Sequence, residues 1–467
     1  MSSADEIGVD TRPAVRVIVI NYNGGDLTAA ALESLRRLGY PRDRLDIVVV
    51  DNGSHDGSEA RLSELARSDP FFRLVRSESN LGFAGGNNLS MRDLDGFDYV
   101  ALMNNDTTVD PSWLDELVDA LEALPDHGAA CPKMVLAPKF VEIRVESPTS
   151  RPGRGDDRDL GVRLSGVEVG GVDRHQHTFF VRGSWGPELG RGDEARFAWT
   201  AGEAVLRVPV PVESTASTLP ELRLRLAADT PKKVSLTSGA VRTVVEVGTE
   251  PRWFALGSDV EPFDVINNCG SCLVEGGFGA DRGFRQPDTG QFDEADEVFA
   301  WCGGSVLLRR GYIEAVGLFD DAFFLYYEDT DLSWRGRAQG WAYRYVPTAR
   351  VRHVHSATNV EGSAIFDHYT QRNRLLMLAK NAPLKMLVRE VWRYVLVSAS
   401  YARRDIVAPV LNLHRPNPRL TYRRARSLAG FLRWLPYCTR ERRRLRRLQV
   451  VADADLLAWA VPQPEPS

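Results

Sequence analysis

At 467 residues, 43% hydrophobic and 26% charged, the chain has room for two or three globular domains and lacks the composition of a disordered or fibrous protein. No run of about 18 apolar residues predicts a transmembrane helix, and the acidic start MSSADEIGVDTRP is wrong for a secretory leader, so a cytosolic catalytic face is expected. Net charge is −5, yet Arg389 to Arg447 holds sixteen Arg against three acidic residues, a local +13 that leaves −18 elsewhere and predicts a basic tail meeting something anionic.

The first 138 residues alternate two textures. VRVIVINYN (15–23) is an apolar run ending in polar residues, as a buried parallel strand should be. DLTAAALESLRRLGY follows with helical spacing, closed by Gly39 and Pro41. LDIVVVDNGSHDGS repeats the strand and turns through Asp, Asn, Gly and Ser, and FRLVRSESNLGFAGGNNLSM predicts a third strand, a glycine-rich turn and a helix start. In YVALMNNDTTVDPSWLDELV (99–118), a buried strand over Tyr99–Met103 delivers two amides and a carboxylate to its carboxyl end before Pro-Ser-Trp launches an amphipathic helix. This βαβ series predicts an α/β fold on a mostly parallel sheet with right-handed crossovers.

From about Lys139 to Glu261 helical periodicity disappears. HTFFVRG, EAVLRVPVPV, LRLRLAA and VRTVVEVG are short β-rich pieces separated by Gly, Pro, Ser and Asp-rich turns, which predicts an inserted β-sandwich. VFAWCGGSVLLRRGYIEAVGLFD resumes the α/β texture, and after about Ser363 the chain is helical and basic. The expected organisation is an α/β domain over 1–138 and 263–362, a β-sandwich over 139–262 and a basic helical region over 363–467. Cys269 and Cys272 form a lone CxxC with no second pair to complete a zinc site, so buried small residues are expected there rather than zinc or redox chemistry.

Polar constellations mark successive strand ends: Asn21-Tyr22-Asn23, Asp51-Asn52-Gly53-Ser54, Asn80-Leu81-Gly82 with Gly85-Gly86-Asn87-Asn88, and Asn104-Asn105-Asp106. Open α/β sheets bind ligands at the carboxyl ends of their strands, and neighbouring strands would bring all four groups to one edge. Gly82, Gly85 and Gly86 would let the backbone approach a phosphate-bearing ligand. Asp51 can accept hydrogen bonds from a base or ribose, and oxygen-bearing side chains around Asp106 can hold a hard cation. NLGFAGGNN lacks the GK[ST] ending of a P-loop. Singly, each turn is ordinary turn chemistry; four in sequence are the signal.

Farther on, FDDAFFLYYEDTDLSWRGRAQG places Glu328, Asp329 and Asp331 after an aromatic run. Low-dielectric surroundings raise a carboxylate pKa and suit a base, while the same residues also read as a capped helix start. YRYVPTARVRHVHSAT puts His353 and His355 on one face of a strand-like run, open to a structural, metal or acid–base role.

Seven segments in order carry a resemblance: VIVINYNG, IVVVDNGSHDGS, NLGFAGGNN, LMNNDT, WCGGSVLLRR, YYEDTDLSWR and HVHSAT. Over residues 15–138 and roughly 263–378 the chain resembles the inverting family 2 glycosyltransferases of the GT-A fold, and among them the bacterial rhamnosyltransferases and galactofuranosyltransferases that build cell-surface glycans. The resemblance implies a Rossmann-like catalytic sheet and a nucleotide-sugar donor of the dTDP-rhamnose or UDP-galactofuranose type. It implies that Asn104-Asn105-Asp106 occupies the family's DxD slot, with Asp106 on the divalent metal (Mg²⁺ or Mn²⁺) that bridges the diphosphate. Asn104 replaces the slot's first acid, which removes two-carboxylate coordination and leaves Asn104 to the ribose or a metal-bound water. Asp51 matches the base-binding acid, and Asn80, Gly82 and Asn87 match the loop beside nucleotide and sugar, with Asn21, Asn23 and Asn105 on the same edge. Glu328-Asp329 matches the acidic motif that supplies the catalytic base, Asp329 being favoured. His353, with Ser356 and Thr358 behind it, matches a downstream histidine that completes metal binding, and His355 is the alternative. The implied reaction is a single displacement with inversion.

The resemblance leaves 139–262 unexplained. Trp185, Trp199 and Trp253 there suit stacking on sugar rings, against a structural insertion or oligomer contact. In the tail, aromatic residues and Leu interleaved with Arg suit a helix on an anionic membrane surface and argue against a nucleic-acid partner. The expected place is the cytoplasmic face of a membrane, peripherally attached, with a glycan or lipid-linked acceptor. A nucleotidyltransferase would want basic residues at NYNGGDLT, which has none. A glycan-binding scaffold with an inactive catalytic domain is the alternative from another class, kept open by Asn104.

Overall fold

The computed structural model describes residues 12–153, 156–188, 197–354 and 363–463. The described chain divides into two compact units: one of residues up to 135 with 266–285 and 289–463, the other of 136–265 with 286–288.

The first unit opens with β1 (Val15–Asn21), α1 (Gly25–Arg36), β2 (Leu45–Asp51), α2 (Ser58–Ser68), β3 (Arg73–Arg76), α3 (Gly82–Met91) and β4 (Tyr99–Asn104), followed by β5 (Thr107–Val109), α4 (Trp113–Glu122) and β6 (His127–Leu136). The first four strands are parallel in the order β3-β2-β1-β4. Their register sets Asn21 beside Asp51 and Ile20 beside Asn104, so the polar strand ends are level. The apolar runs dictate this. Val17, Ile18, Val19, Val48, Val49, Ala101 and Leu102 are fully buried, with α1 and α4 over one face of the sheet and α3 over the other, so a polar group is tolerated only where the strand emerges.

The second unit contains β7 (Lys139–Glu146), β8 (Arg163–Val169), β9 (Val172–Asp173), β10 (Phe179–Glu188), β11 (Phe197–Val210), β12 (Leu222–Ala227), β13 (Lys232–Ser238), β14 (Val241–Val247) and β15 (Arg252–Leu256). A sandwich of two sheets is the expectation; here the hydrogen bonding runs unbroken through one sheet, β14-β13-β7-β11-β8-β12-β15, with β10 on β11 and β9 on β8. The long β11 is the reason. Its Glu203–Val210 half pairs with β7, while Ala198 and Trp199 pair with β8, so one strand serves both halves. Alternate residues Val141, Ile143, Val145, Leu222, Leu224, Leu226, Val234 and Leu236 bury one face in a single core, the period-two signature of a strand.

Back in the first unit come β16 (Ile266–Asn268), β17 (Ser271–Val274), β18 (Phe278–Asp281), β19 (Asp296–Glu297), β20 (Ser305–Arg309), α5 (Arg310–Val316), α6 (Glu328–Ala338) and β21 (Ala342–His353). β20 enters antiparallel between β4 and β6, and the sheet continues to β21 and β19, making its second half mixed rather than parallel. β16 pairs with β6, Ile266 opposite Val135.

The remaining helices are α7 (Ala364–Asn381), α8 (Leu384–Ala402), α9 (Ala408–Leu411), α10 (Arg419–Leu448) and α11 (Asp453–Ala458). α7 is a core helix: Leu375, Leu376, Met377 and Leu378 are fully buried among Phe299, Phe323, Trp334 and Phe431. Arg442 donates to Ala382 O at 2.6 Å, and Arg446 donates to Asn381 O and Ala382 O at 3.2 and 3.1 Å. Cations at the carbonyl end of α7 complement its dipole, so part of the arginine excess is internal. Among the described residues no helix is long and apolar enough to cross a membrane.

Candidate active site

Asn21 is the hub of the sheet's carboxyl edge. Its fully buried amide donates to Asp51 Oδ1 (2.8 Å), Ser54 Oγ (3.0 Å) and Ser58 Oγ (3.1 Å), and its Oδ1 accepts from Thr28 Oγ1 (2.6 Å). Asn105 reaches the same cluster, donating to Thr28 Oγ1 at 3.1 Å. Asp51 also accepts from Ser54 N (3.2 Å). The sequence expectation joined Asn21, Asp51 and Asn105 on one edge, and the structure brings them together with Thr28, Ser54 and Ser58. Asn23 sits just outside. Its N–H donates to Ser54 Oγ and its Oδ1 accepts from His55 N, so it fixes the turn after β1.

The glycine-rich stretch differs from the expected phosphate loop. Gly85 and Gly86 lie inside α3, and a Cβ at Gly86 would overlap Ile20, so this glycine permits close packing of helix on β1. Gly82 has φ +72°, and a Cβ there would overlap the carbonyl of Phe324. The space these glycines leave is filled by protein. Asn80 Oδ1 accepts from Gly82 N (2.8 Å) and from Asn52 Nδ2 (3.1 Å), and Asn87, almost wholly buried, donates to Phe83 O (2.9 Å) within its own helix. Asn52 is the organiser here, since it also donates to Gly82 O (2.9 Å) and accepts from Leu81 N (3.0 Å).

At the end of β4, Asn104 O accepts from Thr107 Oγ1 (2.6 Å), and β5 then pairs with β21, Thr107 opposite His353. This brings Asp106 Oδ1 within 3.1 Å of His353 Nε2, both side chains only 10% exposed. His353 Nδ1 faces Asn267 Oδ1 at 2.9 Å. The tautomer sets which ring nitrogen donates, and Asp106 Oδ1 and His353 Nε2 face each other closely enough to share a proton or to hold a divalent metal together. A cluster of three or more candidate His, Cys, Asp or Glu ligands is absent among the described residues. His355, Ser356 and Thr358 lie outside the described residues. Asn267, which orients the histidine, was not singled out by sequence; its only signal is an amide pair in the middle of a buried stretch.

The acidic segment is built differently. Phe324, Tyr326 and Tyr327 have φ of 66°, 68° and 69°, the left-handed region that non-glycine residues avoid. Asn373 of α7 holds them there. Its buried amide donates to Phe323 O, Leu325 O and Tyr326 O at 2.9, 2.8 and 2.7 Å, and Arg372 adds bonds to Ala322 O and Phe323 O. The turn delivers Glu328 and Asp329 to the start of α6. Asp329, half-buried, accepts from Gly303 N (3.1 Å), Thr330 N (2.6 Å) and Thr330 Oγ1 (3.1 Å). Burial raises its pKa, and these donors oppose the rise. Glu328 is 5% exposed, and its Oε2 has no hydrogen-bond partner among the described residues. Burial first, and then the neighbouring Asp329, push its carboxyl well above the usual glutamate range. Asp331 is structural: fully buried, it meets Arg335 (2.9 Å), Lys380 (2.8 Å) and Asn381 (2.8 Å), fastening α6 to α7.

One glycine pair joins the two corners. Gly303 N binds Asp329, and Gly304 O accepts from Asn104 N (2.9 Å), so WCGGS links the acid to the end of β4. In the second unit, Trp199 lies edge-on to Phe197 and Trp253 under Arg223, while exposed Trp185 donates to Asp159 O (2.9 Å). β8 and β12 separate β11 from β15 in the sheet, so Trp199 and Trp253 form no common platform. Cys269 is buried and Cys272 half-buried, in keeping with small packed residues.

Parts of the chain are similar to known proteins. Residues 16–160 match the model of glycosyl transferase family 2, and residues 287–439 that of glycosyl transferase family group 2. Two stretches of the chain thus match glycosyltransferase family models, each covering less than half of it. An uncharacterised glycosyltransferase of Haemophilus influenzae is 31% identical over 118 residues, 25% of this chain and 35% of that protein. The N-acetylglucosaminyl-diphospho-decaprenol L-rhamnosyltransferase of Mycobacterium tuberculosis is 33% identical over 108 residues, 21% of this chain and 34% of that one. The matches thus span about a third of these curated relatives. Among solved structures, GalNAc-T7 with UDP, GalNAc and Mn²⁺ aligns over 92% of this chain and 56% of its own at 13% identity, TM-score 0.44. The mannosyltransferase PcManGT of Pyrobaculum calidifontis with GDP-Man and Mn²⁺ aligns over 92% and 88% at 15% identity, TM-score 0.40.

Proposed function

We propose that the chain is an inverting, metal-dependent glycosyltransferase. It moves rhamnose or galactofuranose from a nucleotide diphosphate to a hydroxyl of a cell-surface glycan or lipid-linked saccharide, at the cytoplasmic face of a membrane it touches peripherally. The observation that carries the reading is the bridge through Gly303 and Gly304, which sets a conditioned carboxylate, Asp329, beside the strand that ends in the Asp106–His353 corner. Rhamnose is favoured because a matching relative is named as a rhamnosyltransferase.

In this mechanism Asp329 accepts the proton of the acceptor hydroxyl as its oxygen attacks the anomeric carbon from the face opposite the diphosphate, which inverts configuration. The three donors on Asp329 oppose the rise in pKa that burial causes, whereas Glu328 has no such donor on its buried oxygen and its carboxyl is pushed well above the usual glutamate range. Asp106 and His353 would hold Mg²⁺ or Mn²⁺, which offsets the diphosphate charge as the nucleotide leaves. Asp51, whose two oxygens accept from Asn21 and from Ser54 N, is the residue assigned to the base or ribose. Asn80, Gly82 and Asn87 shape the adjoining wall, and Asn104 lies level with it.

Donor binding and hydrolysis across UDP-, dTDP- and GDP-sugars, with Mg²⁺ or Mn²⁺ and then with chelator, test this. One metal-dependent donor is the expected result and names the sugar. Absence of nucleotide-sugar binding with either metal would leave a glycan-binding scaffold as the better reading, with the second unit as the place to look.

A further inference from the structure

The helix α8 is apolar on its outside. Inward it turns Met386, Glu390 and Tyr394, four residues apart and buried. Outward it turns Leu384, Val388, Trp392 and Leu396, also four apart and 62%, 60%, 62% and 53% exposed. This row runs about 18 Å along the helix, and exposed Val407, Val410 and Leu411 continue it in chain order. Beside it, one residue on, runs a second row: Lys385, Arg389 and Arg393, all exposed. Lys385, Arg393 and the following Arg403 make no ion pair among the described residues, and Arg389 meets only Glu390.

We infer that this face of α8 docks on an anionic lipid bilayer, with Leu384, Val388, Trp392 and Leu396 at the headgroup–acyl boundary and Lys385, Arg389 and Arg393 on lipid phosphates. Exposed apolar rows of this kind mark a covered surface, and the charge pattern chooses the cover. The only acidic residue of the helix, Glu390, is buried between Arg374 and Arg389, so the helix offers no carboxylate to Lys385 or Arg393. A second copy laid on this face would set one cationic row against the other. A nucleic acid would satisfy the cations and leave the apolar row in water.

The inner face of α8 ties this surface to the site. A Cβ at Gly276 would touch Glu390, and one at Gly277 would overlap Leu378 and lie close to Met386, so the turn between β17 and β18 packs beneath the helix. From the same hairpin Gly279 N donates to Tyr327 Oη (3.3 Å), the residue before Glu328. One hairpin thus separates the lipid-facing helix from the acidic segment, a position suited to an acceptor held in the bilayer. The inference extends the membrane-side placement proposed above. Vesicle binding needs no sugar transfer, so either can fail alone.

The test is co-sedimentation of the full chain with vesicles of phosphatidylglycerol and phosphatidylcholine, against vesicles of phosphatidylcholine alone. The expected result is binding to the anionic vesicles, lowered about tenfold or more by Val388→Ser with Trp392→Ser and by about tenfold at low salt by Arg389→Gln with Arg393→Gln. These positions are exposed, so circular-dichroism melting should match the parent. Absence of binding to anionic vesicles would overturn the inference, as would double variants that sediment like the parent. A dimer in sedimentation velocity that the serine variant dissociates, with vesicle binding unchanged, would assign the face to a second copy instead.

Discussion

The edge around Asn21 and the segment around Asp329 hold their carboxylates by opposite means. At the edge, a single side chain inside the parallel sheet satisfies its neighbours, and regular strands carry it there. At the acidic segment three consecutive-in-space aromatic residues sit in an unfavoured conformation, and the restraint comes from outside, from α7. The first arrangement costs little backbone energy and is rigid by default. The second stores about 1–3 kcal/mol per residue and persists only while Asn373 over-determines it. The proposed displacement would use both, because binding tolerates small errors in position that proton transfer does not.

Four changes would break or sharpen this contrast. Asp329→Asn should lower transfer by about 10²–10⁴ while nucleotide-sugar binding stays near the parent value; lost donor binding in calorimetry would count against Asp329 as the base. Asn373→Ala should release the turn and cost about a hundredfold in kcat, with the donor KM within about twofold. A lowered melting temperature with kcat intact would reduce Asn373 to a purely structural role. Asn21→Ala acts at the other region. It leaves Asp51, Thr28 and Asn105 short of partners, and denaturant unfolding should show a loss of about 2–3 kcal/mol together with weaker donor binding. An unchanged midpoint would mean the edge is held elsewhere.

The smallest effect concerns Glu328. Burial raises its pKa, so the folded protein holds this proton more tightly than the unfolded chain does. The stability it contributes is full below the ordinary glutamate range and is lost as pH rises through the raised value. Glu328→Gln should flatten that decline, read from unfolding midpoints across the pH range. Parallel curves for the two proteins would show that Glu328 ionises at no cost.

Much of the edge around Asn21 is legible in the sequence because it obeys a local rule. An apolar run that ends in Asn or Asp announces a buried strand emerging at a sheet edge, which is how Asn21, Asp51 and Asn104 declare themselves. The run at 82–87 misleads for the same reason: glycine signals close approach without saying to what, and here the partners are Ile20 and the Phe324 carbonyl. Asn373 and Asn267 are illegible. Each acts on groups 47 or more residues away, on backbone carbonyls or one ring nitrogen, and nothing in the flanking sequence marks an amide for that use. The single sheet of the second unit was hidden likewise, since only pairing reveals that one long strand serves two sets of neighbours.

The antiparallel match of Ile266 to Val135 has a consequence for engineering. Directly opposed residues of such a pair lie about 5 Å apart, so the chain departs and returns at nearly the same point. The intervening 136–265 is topologically a loop, however large its own core. A splice that replaces it with a tight turn would make β6 and β16 an ordinary hairpin, and foreign domains with close termini could be grafted at the same seam.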